Sequence, residues 1–154
     1  MDIRVRQAVS ADYKAAIKII AQVHKMHVDW RPDIYKHNEE MLSVADFEEA
    51  IKTGNFYVAE CDGIVAGILD VNFRRMEKPT HVTRDILRIH TIAVEENYRR
   101  KGIGRKLLDF VKEIKTEKGC DAIDLQVNSQ NTAAYETYKK YGFTEKSVNM
   151  ELIF

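Results

Sequence analysis

RRKGIGRKLL, Arg99 to Leu108, places five cationic side chains and two glycines in ten residues. Ahead of it lies the apolar, β-branched run Ile89 to Val94. Behind it Leu107, Leu108, Val111 and Ile114 recur at helical spacing as far as Gly119. A strand therefore feeds a helix through a glycine-bearing turn. Glycine lets backbone N–H groups converge with no Cβ in the way, and the helix that follows presents about half a positive elementary charge at its N-terminus. Such a turn binds phosphate, and a solvated basic loop is the plainer reading of the same residues.

Downstream, Ala122 to Val127 reads as a buried strand. Asn131 caps a helix over Thr132 to Tyr141 that Gly142 stops, and Phe143 to Phe154 reads as a further strand or two. Upstream, Arg84 to Val94 is one strand, while Ile64 to Phe73 and Phe56 to Cys61 are two more, joined by Asp62-Gly63, a dipeptide suited to a tight hairpin. Ser43 to Lys52 has helical periodicity and ends at Gly54. Ile3 to Gln7 alternates as a strand does, and Ser10 and Asp12 can cap a helix carrying Ala16, Ile19, Ile20 and Val23. The stretch HKMHVDWRPDIYKHN, His24 to Asn38, contains Pro32, which biases Arg31 away from helix; it reads as an irregular connection or a broken helix. Strand, two helices, three strands, helix, strand, helix and strand predict a mixed α/β sheet with helices packed on it.

Composition fixes the setting. A chain of 154 residues, 45% hydrophobic, is the size of one domain and can bury one sizeable core. Lysine plus arginine equals aspartate plus glutamate at 24 each, so nothing global points to nucleic acid or to an anionic membrane. Cys61 and Cys120 lie far apart, without CxxC spacing or neighbouring histidines, and read as buried thiols in a reducing compartment with no metal. No apolar run reaches membrane-spanning length, and MDIRVRQ lacks a signal-peptide core, so a soluble cytoplasmic protein is expected.

The spacing RxxGxG (Arg99, Gly102, Gly104) after a strand resembles the acyl-CoA pyrophosphate loop of the GNAT superfamily of N-acyltransferases. NTAAYETYKKYGF, Asn131 to Phe143, resembles that superfamily's second cofactor segment, and the two appear in the expected order. The GxGxxG of dinucleotide-binding folds fits less well, because no third glycine follows. The resemblance implies a GNAT-like fold: a central, mostly antiparallel sheet, splayed at the cofactor strand pair and flanked by about four helices. It implies one N-acetyltransferase domain over residues 1–154, with acetyl-CoA as co-substrate and no metal. Main chain at Ile92, Ala93 and Val94 would bond the pantetheine arm. Arg99, Arg100, Lys101, Gly102, Ile103 and Gly104 would take the pyrophosphate, with Arg105 opening the helix. Asn131 would touch the cofactor arm, or serve only as a helix cap. Tyr138 would stand near the thioester sulfur as the acid, or pack in the core.

The chemistry then needs a neutral amine, a stabilised oxyanion and a proton for the departing thiolate. Deprotonating a lysine amine at pH 7 costs roughly 4.6 kcal/mol, and an α-amine only about 1 kcal/mol. A base therefore matters more for a lysine acceptor. His90 is the candidate, since alternation puts Arg88, His90, Ile92 and Val94 on one face and histidine titrates near neutrality. A hydrogen-bonded structural histidine is the alternative, as is water relayed to Glu60 or Asp70. Tyr138 can donate to the thiolate, and a backbone N–H near Val94 is the natural oxyanion donor. His24, His27, Trp30, Asp33 and Tyr35 are expected on the acceptor wall, with stacking from the aromatics and cation binding by Asp33, unless they only pack the first helix on the sheet. The implied reaction is direct acetyl transfer in a ternary complex to a small-molecule or peptide amine; a catalytically silent acyl-CoA sensor is the alternative. The final residues, Asn149 to Phe154, are apolar enough to permit a homodimer.

Overall fold

The computed structural model describes residues 1–154. Its five strands are β1 (Ile3–Gln7), β2 (Phe56–Cys61), β3 (Ile64–Met76), β4 (Arg84–Val94) and β5 (Ala122–Asp124), lying side by side in that order. The first four are antiparallel neighbours, and β5 runs parallel to β4. The helices are α1 (Tyr13–Trp30), α2 (Val44–Thr53), α3 (Ile103–Lys118) and α4 (Thr132–Tyr141).

The sheet separates two apolar layers. On one face Ile103, Leu107, Leu108 and Val111 of α3 meet Leu69, Val71, Leu87 and Ile89. On the other, Ala16 and Ile19 of α1 and Phe47 of α2 meet Val58, Ile68 and Ala93. Each fully buried side chain of this size contributes about 1.5–3 kcal/mol. Helix and sheet approach closely at Gly67 in β3, where a Cβ would lie 3.1 Å from Ile103 Cγ2 and 3.2 Å from Leu107 Cδ1. Glycine here lets the first turn of α3 sit down on the strand.

Local signals in the sequence mostly act as read. Asp62 (φ 51°) and Gly63 (φ 83°) both take the left-handed conformation that a two-residue hairpin turn demands. The Ser43 hydroxyl accepts from Asp46 N at 3.1 Å and the Asn131 side chain from Ala134 N at 3.2 Å, so both are helix caps.

Four expectations fail. The helix α1 runs unbroken through His24 to Trp30, because Pro32 constrains only the residue before it, Arg31, which already caps the helix. The strand β3 continues past Phe73 to Met76, paired with the first residues of β4. Phe143 to Phe154 forms no strand, and β5 stops at Asp124 instead of reaching Val127. A strand needs a ladder partner, and β5 separates from β4 after three residue pairs.

Candidate functional site

The site begins where the parallel ladder stops. Its last pair is Arg88 with Asp124, clasped by Arg88 Nε to Asp124 Oδ1 at 3.0 Å; Lys146 Nζ approaches the same carboxylate at 3.6 Å. Beyond it Ile89 to Val94 keeps β3 on one side and has no strand on the other. The expected splay is therefore present, and it leaves one edge of β4 with unshared main-chain groups.

At the end of that edge the chain makes a short 3-10 turn, Glu96–Tyr98, and enters α3 through Arg100 (φ 61°) and Gly102 (φ 87°). The N–H groups of Ile103, Gly104 and Arg105 have no intrahelical acceptor, and with those of Arg100, Lys101 and Gly102 they donate to no protein atom. A Cβ on Gly102 would have no heavy atom within 4 Å, so the turn is open on that side. The run of free amides at a helix N-terminus, with exposed Arg100 and Lys101 beside it, suits a diphosphate in charge and in donor geometry.

Arg99 and Arg105 turn elsewhere. Arg99 Nε donates to Val94 O at 3.1 Å, and its Nη2 reaches Met26 Sδ at 3.7 Å, which braces the turn against α1. The Arg105 guanidinium lies over the Tyr141 ring, 5.6 Å from its centroid. A second brace escaped the sequence reading. The buried Glu95 carboxylate accepts from Gln22 Nε2 and Asn97 N, both at 2.9 Å, while Gln22 Oε1 accepts from Glu96 N at 3.1 Å. The hydrogen bond from Gln22 leads in holding the Glu95 carboxyl below the usual carboxylate range.

Tyr138, on α4, is half-buried against the layer under α3, with its ring 5.8 Å from that of Phe143. Its hydroxyl has no protein partner, and burial raises its pKa above 10.0.

The pairing of β3 with β4 slips between Asp70 and Val71: Val71 faces Ile89 and Asp70 faces Thr91, which leaves His90 as an extra, exposed residue. This bulge corrects the expected alternation. Ile92 and Val94 pack with Leu87 and Ile89 on the α3 side, so His90 does not share their face by simple period two. Asp70 is half-buried, and desolvation raises its carboxyl pKa against the opposing influence of His90.

At the end of α1, His27 packs edge-on against Trp30 (5.5 Å) and Tyr35 (5.2 Å), and His24 Nε2 lies 2.7 Å from Lys36 O. These aromatics do pack one another. Asp33 is held by Arg31 at 2.9 and 2.7 Å, and Arg31 also pairs with Glu151, so the Asp33 charge is already answered. Glu60 is taken up by Arg6 at 2.8 Å, and its strand β2 is separated from β4 by β3, which removes it as a relay for His90. No three His, Cys, Asp or Glu side chains group as metal ligands do, and no helix is long and apolar enough to cross a membrane.

Known proteins resemble this chain in sequence and in fold. Residues 21–143 match the family described as acetyltransferase (GNAT) family. An N-alpha-acetyltransferase of Sulfurisphaera tokodaii is 32% identical over 94% of this chain and 82% of its own length. An aminoglycoside N(6′)-acetyltransferase type 1 of Salmonella typhimurium is 24% identical over 82% of this chain and 91% of its own. An uncharacterized N-acetyltransferase of Methanocaldococcus jannaschii is 34% identical over 60% of this chain, which spans only 40% of that protein. The crystal structure of a mutant BH1408 protein of Bacillus halodurans superposes with a TM-score of 0.91 at 27% identity, covering 100% of this chain and 99% of the other.

Proposed function

We propose, for a chain that belongs to the acetyltransferase (GNAT) family, a direct transfer of acetyl from acetyl-CoA to a primary amine within a ternary complex. The chain is an acetyl-transferring enzyme; the acceptor, the mechanism and the residues that perform it are our reading. The observation that carries it is the run of free amides from Arg100 to Arg105 at the end of a strand whose second edge is bare.

Bound acetyl-CoA supplies the activated thioester. The amides of Arg100 to Arg105 would grip its diphosphate, Arg100 and Lys101 would add mobile positive charge, and Arg99 acts by bracing the turn. The bare edge of Ile92, Ala93 and Val94 would bond the pantetheine arm, and an N–H there would receive the oxyanion. Asn131 caps α4 and keeps its amide nitrogen for the same arm. Tyr138 stays protonated at neutral pH, because burial disfavours its anion, and can hand a proton to the departing thiolate.

On the opposite face His90 and Asp70 would accept the proton of the attacking amine, and Asp70 can first hold it as an ammonium. His27, Trp30 and Tyr35 would wall the acceptor; Asp33 has no charge to spare for it. We read residues 1–154 as one acetyltransferase domain. Its two buried, unpaired cysteines fit a reducing, cytoplasmic setting.

The test is free-thiol release from acetyl-CoA with peptide N-termini, lysine peptides, polyamines and aminoglycosides. We expect release with at least one of these amines, and a loss of about 100-fold in turnover with Tyr138→Phe. Cofactor binding without release from any amine would return the reading to that of an acyl-CoA sensor.

A further inference from the structure

We infer that the acceptor is an acidic peptide, with its N-terminal amine at Asp70 and His90 and a carboxylate three or four residues on held by Arg74 and Arg84. The inference rests on the reading of Asp70 and His90 as the amine side of the site, and names the substrate class for it.

Alternation along β3 puts Ile68, Asp70, Asn72, Arg74 and Met76 on one face, because the bulge adds its extra residue to β4. Ile68 belongs to the layer under α1, so the rest of the row continues that face along the sheet. The β4 partners of Asn72, Arg74 and Met76 are Arg88, the buried Ile86 and Arg84, and they share the face.

The charges of this face are lopsided. Arg88 is paired with Asp124, which Lys146 also approaches. Arg75 and Asp85 pair on the other face, and Arg75 takes Glu77 as well. Exposed Arg74 and half-exposed Arg84 make no ion pair and no side-chain hydrogen bond. Arg74 is diagonal to both Arg84 and Arg88 across the ladder, at roughly 7–8 Å. Like charges at that spacing repel, so an anion bound among them is favoured, and guanidinium groups hold carboxylates through paired hydrogen bonds.

The row also fixes a length. From Asp70 to Arg74 is about 13 Å at roughly 3.3 Å per residue, so an extended peptide with its amine at Asp70 brings its fourth or fifth residue to Arg74. Asn72 stands between them, half-buried, its side-chain amide without a protein partner and available to the peptide main chain. A free amino acid is too short to span the row. Polyamines and aminoglycosides would bring cations to where the arginines stand.

Thiol release from acetyl-CoA tests this with eight-residue peptides that differ only in carrying Glu, Gln or Arg at residues 4 and 5. We expect kcat/KM about tenfold higher for the Glu peptide than for the Gln peptide and lower still for the Arg peptide, with the spread narrowing as salt rises from about 0.05 to 0.5 M. The double variant Arg74→Glu, Arg84→Glu, with native circular dichroism, should reverse the order and prefer the Arg peptide. A general loss of function would instead lower all three alike. Calorimetry on the CoA-bound protein should rank the peptides in the same order without turnover. Equal kcat/KM for the three peptides, or a double variant that keeps the native order or loses all three equally, would overturn the acidic acceptor and leave acetyl transfer standing. Ranked peptide binding with no thiol released from any amine would instead overturn the transfer reading and leave the peptide site.

Discussion

Gln22 and Glu95 fasten α1 to the end of β4: one amide side chain donates to the buried carboxylate at 2.9 Å and accepts the next residue's N–H at 3.1 Å. The helix that carries His27 and Trp30 is thereby tied to the residue from which the turn into α3 departs. Removing the amide strips the buried carboxylate of one of its donors, leaving Asn97 N and Lys18, at about 1–3 kcal/mol. Gln22→Leu should raise KM for acetyl-CoA several-fold with kcat nearly unchanged. The same variant has a pH signature. The native-state pKa of Glu95 is depressed, so its contribution is present above the unfolded value and fades as pH falls through the native one. The stability difference between Gln22→Leu and the native chain should therefore be full near pH 7 and shrink as pH falls below the usual carboxylate range. Equal urea midpoints for the two proteins at pH 7 would refute the clasp.

Gly67 predicts a mechanical effect. A side chain there meets Ile103 and Leu107 at 3.1 and 3.2 Å, so Gly67→Val should lift the first turn of α3 and cost about 1–3 kcal/mol of stability. Calorimetry with CoA should show weakened binding in the folded fraction. Gly67→Ala should show the same effects, smaller.

Gly102 separates strain from occupancy. Its φ of 87° disfavours any Cβ by about 1–2 kcal/mol, yet no protein atom lies within 4 Å of where that Cβ would be. Gly102→Val should thus stay folded with a slightly lower Tm and lose acetyl-CoA affinity by tenfold or more. A variant with native affinity would remove the turn from the phosphate site.

For Tyr138 the expectation concerns pH. Because its pKa is raised above 10.0, a rate limited by its proton should hold through pH 9 and fall only beyond 10. Tyr138→Phe should lower turnover about 100-fold, erase that alkaline limb and leave KM for acetyl-CoA in place. Its hydroxyl bonds no protein atom, so the Tm should move little.

Much of this arrangement was legible in the residues. Two positive-φ residues at Asp62-Gly63, the caps at Ser43 and Asn131, and the glycines closing α2, α3 and α4 are local devices, and local chemistry is what a sequence displays. The glycine-bearing turn into α3 was readable for the same reason. What stayed hidden depends on partners distant in the chain. The bulge that singles out His90 exists only against β3, and Glu95 became a structural centre only when α1 brought Gln22 to it. Asp33 and Glu60 looked available because Arg31 and Arg6 had not yet been placed beside them. Gly67 did carry a signal, a glycine inside an apolar strand, whose cause required α3 overhead.

The Arg88–Asp124 rung also sets a measure. From that rung to Val94 is roughly 20 Å of strand at about 3.3 Å per residue, and both limits are rigid. On the proposed reading, a carrier anchored by its phosphates at one limit would deliver its acyl carbon a fixed way along the strand, with the rung as a backstop. If the carrier binds as proposed, short groups would stop before the rung and longer ones would meet a charged pair, so the position of one ion pair would act as a gauge of acyl length.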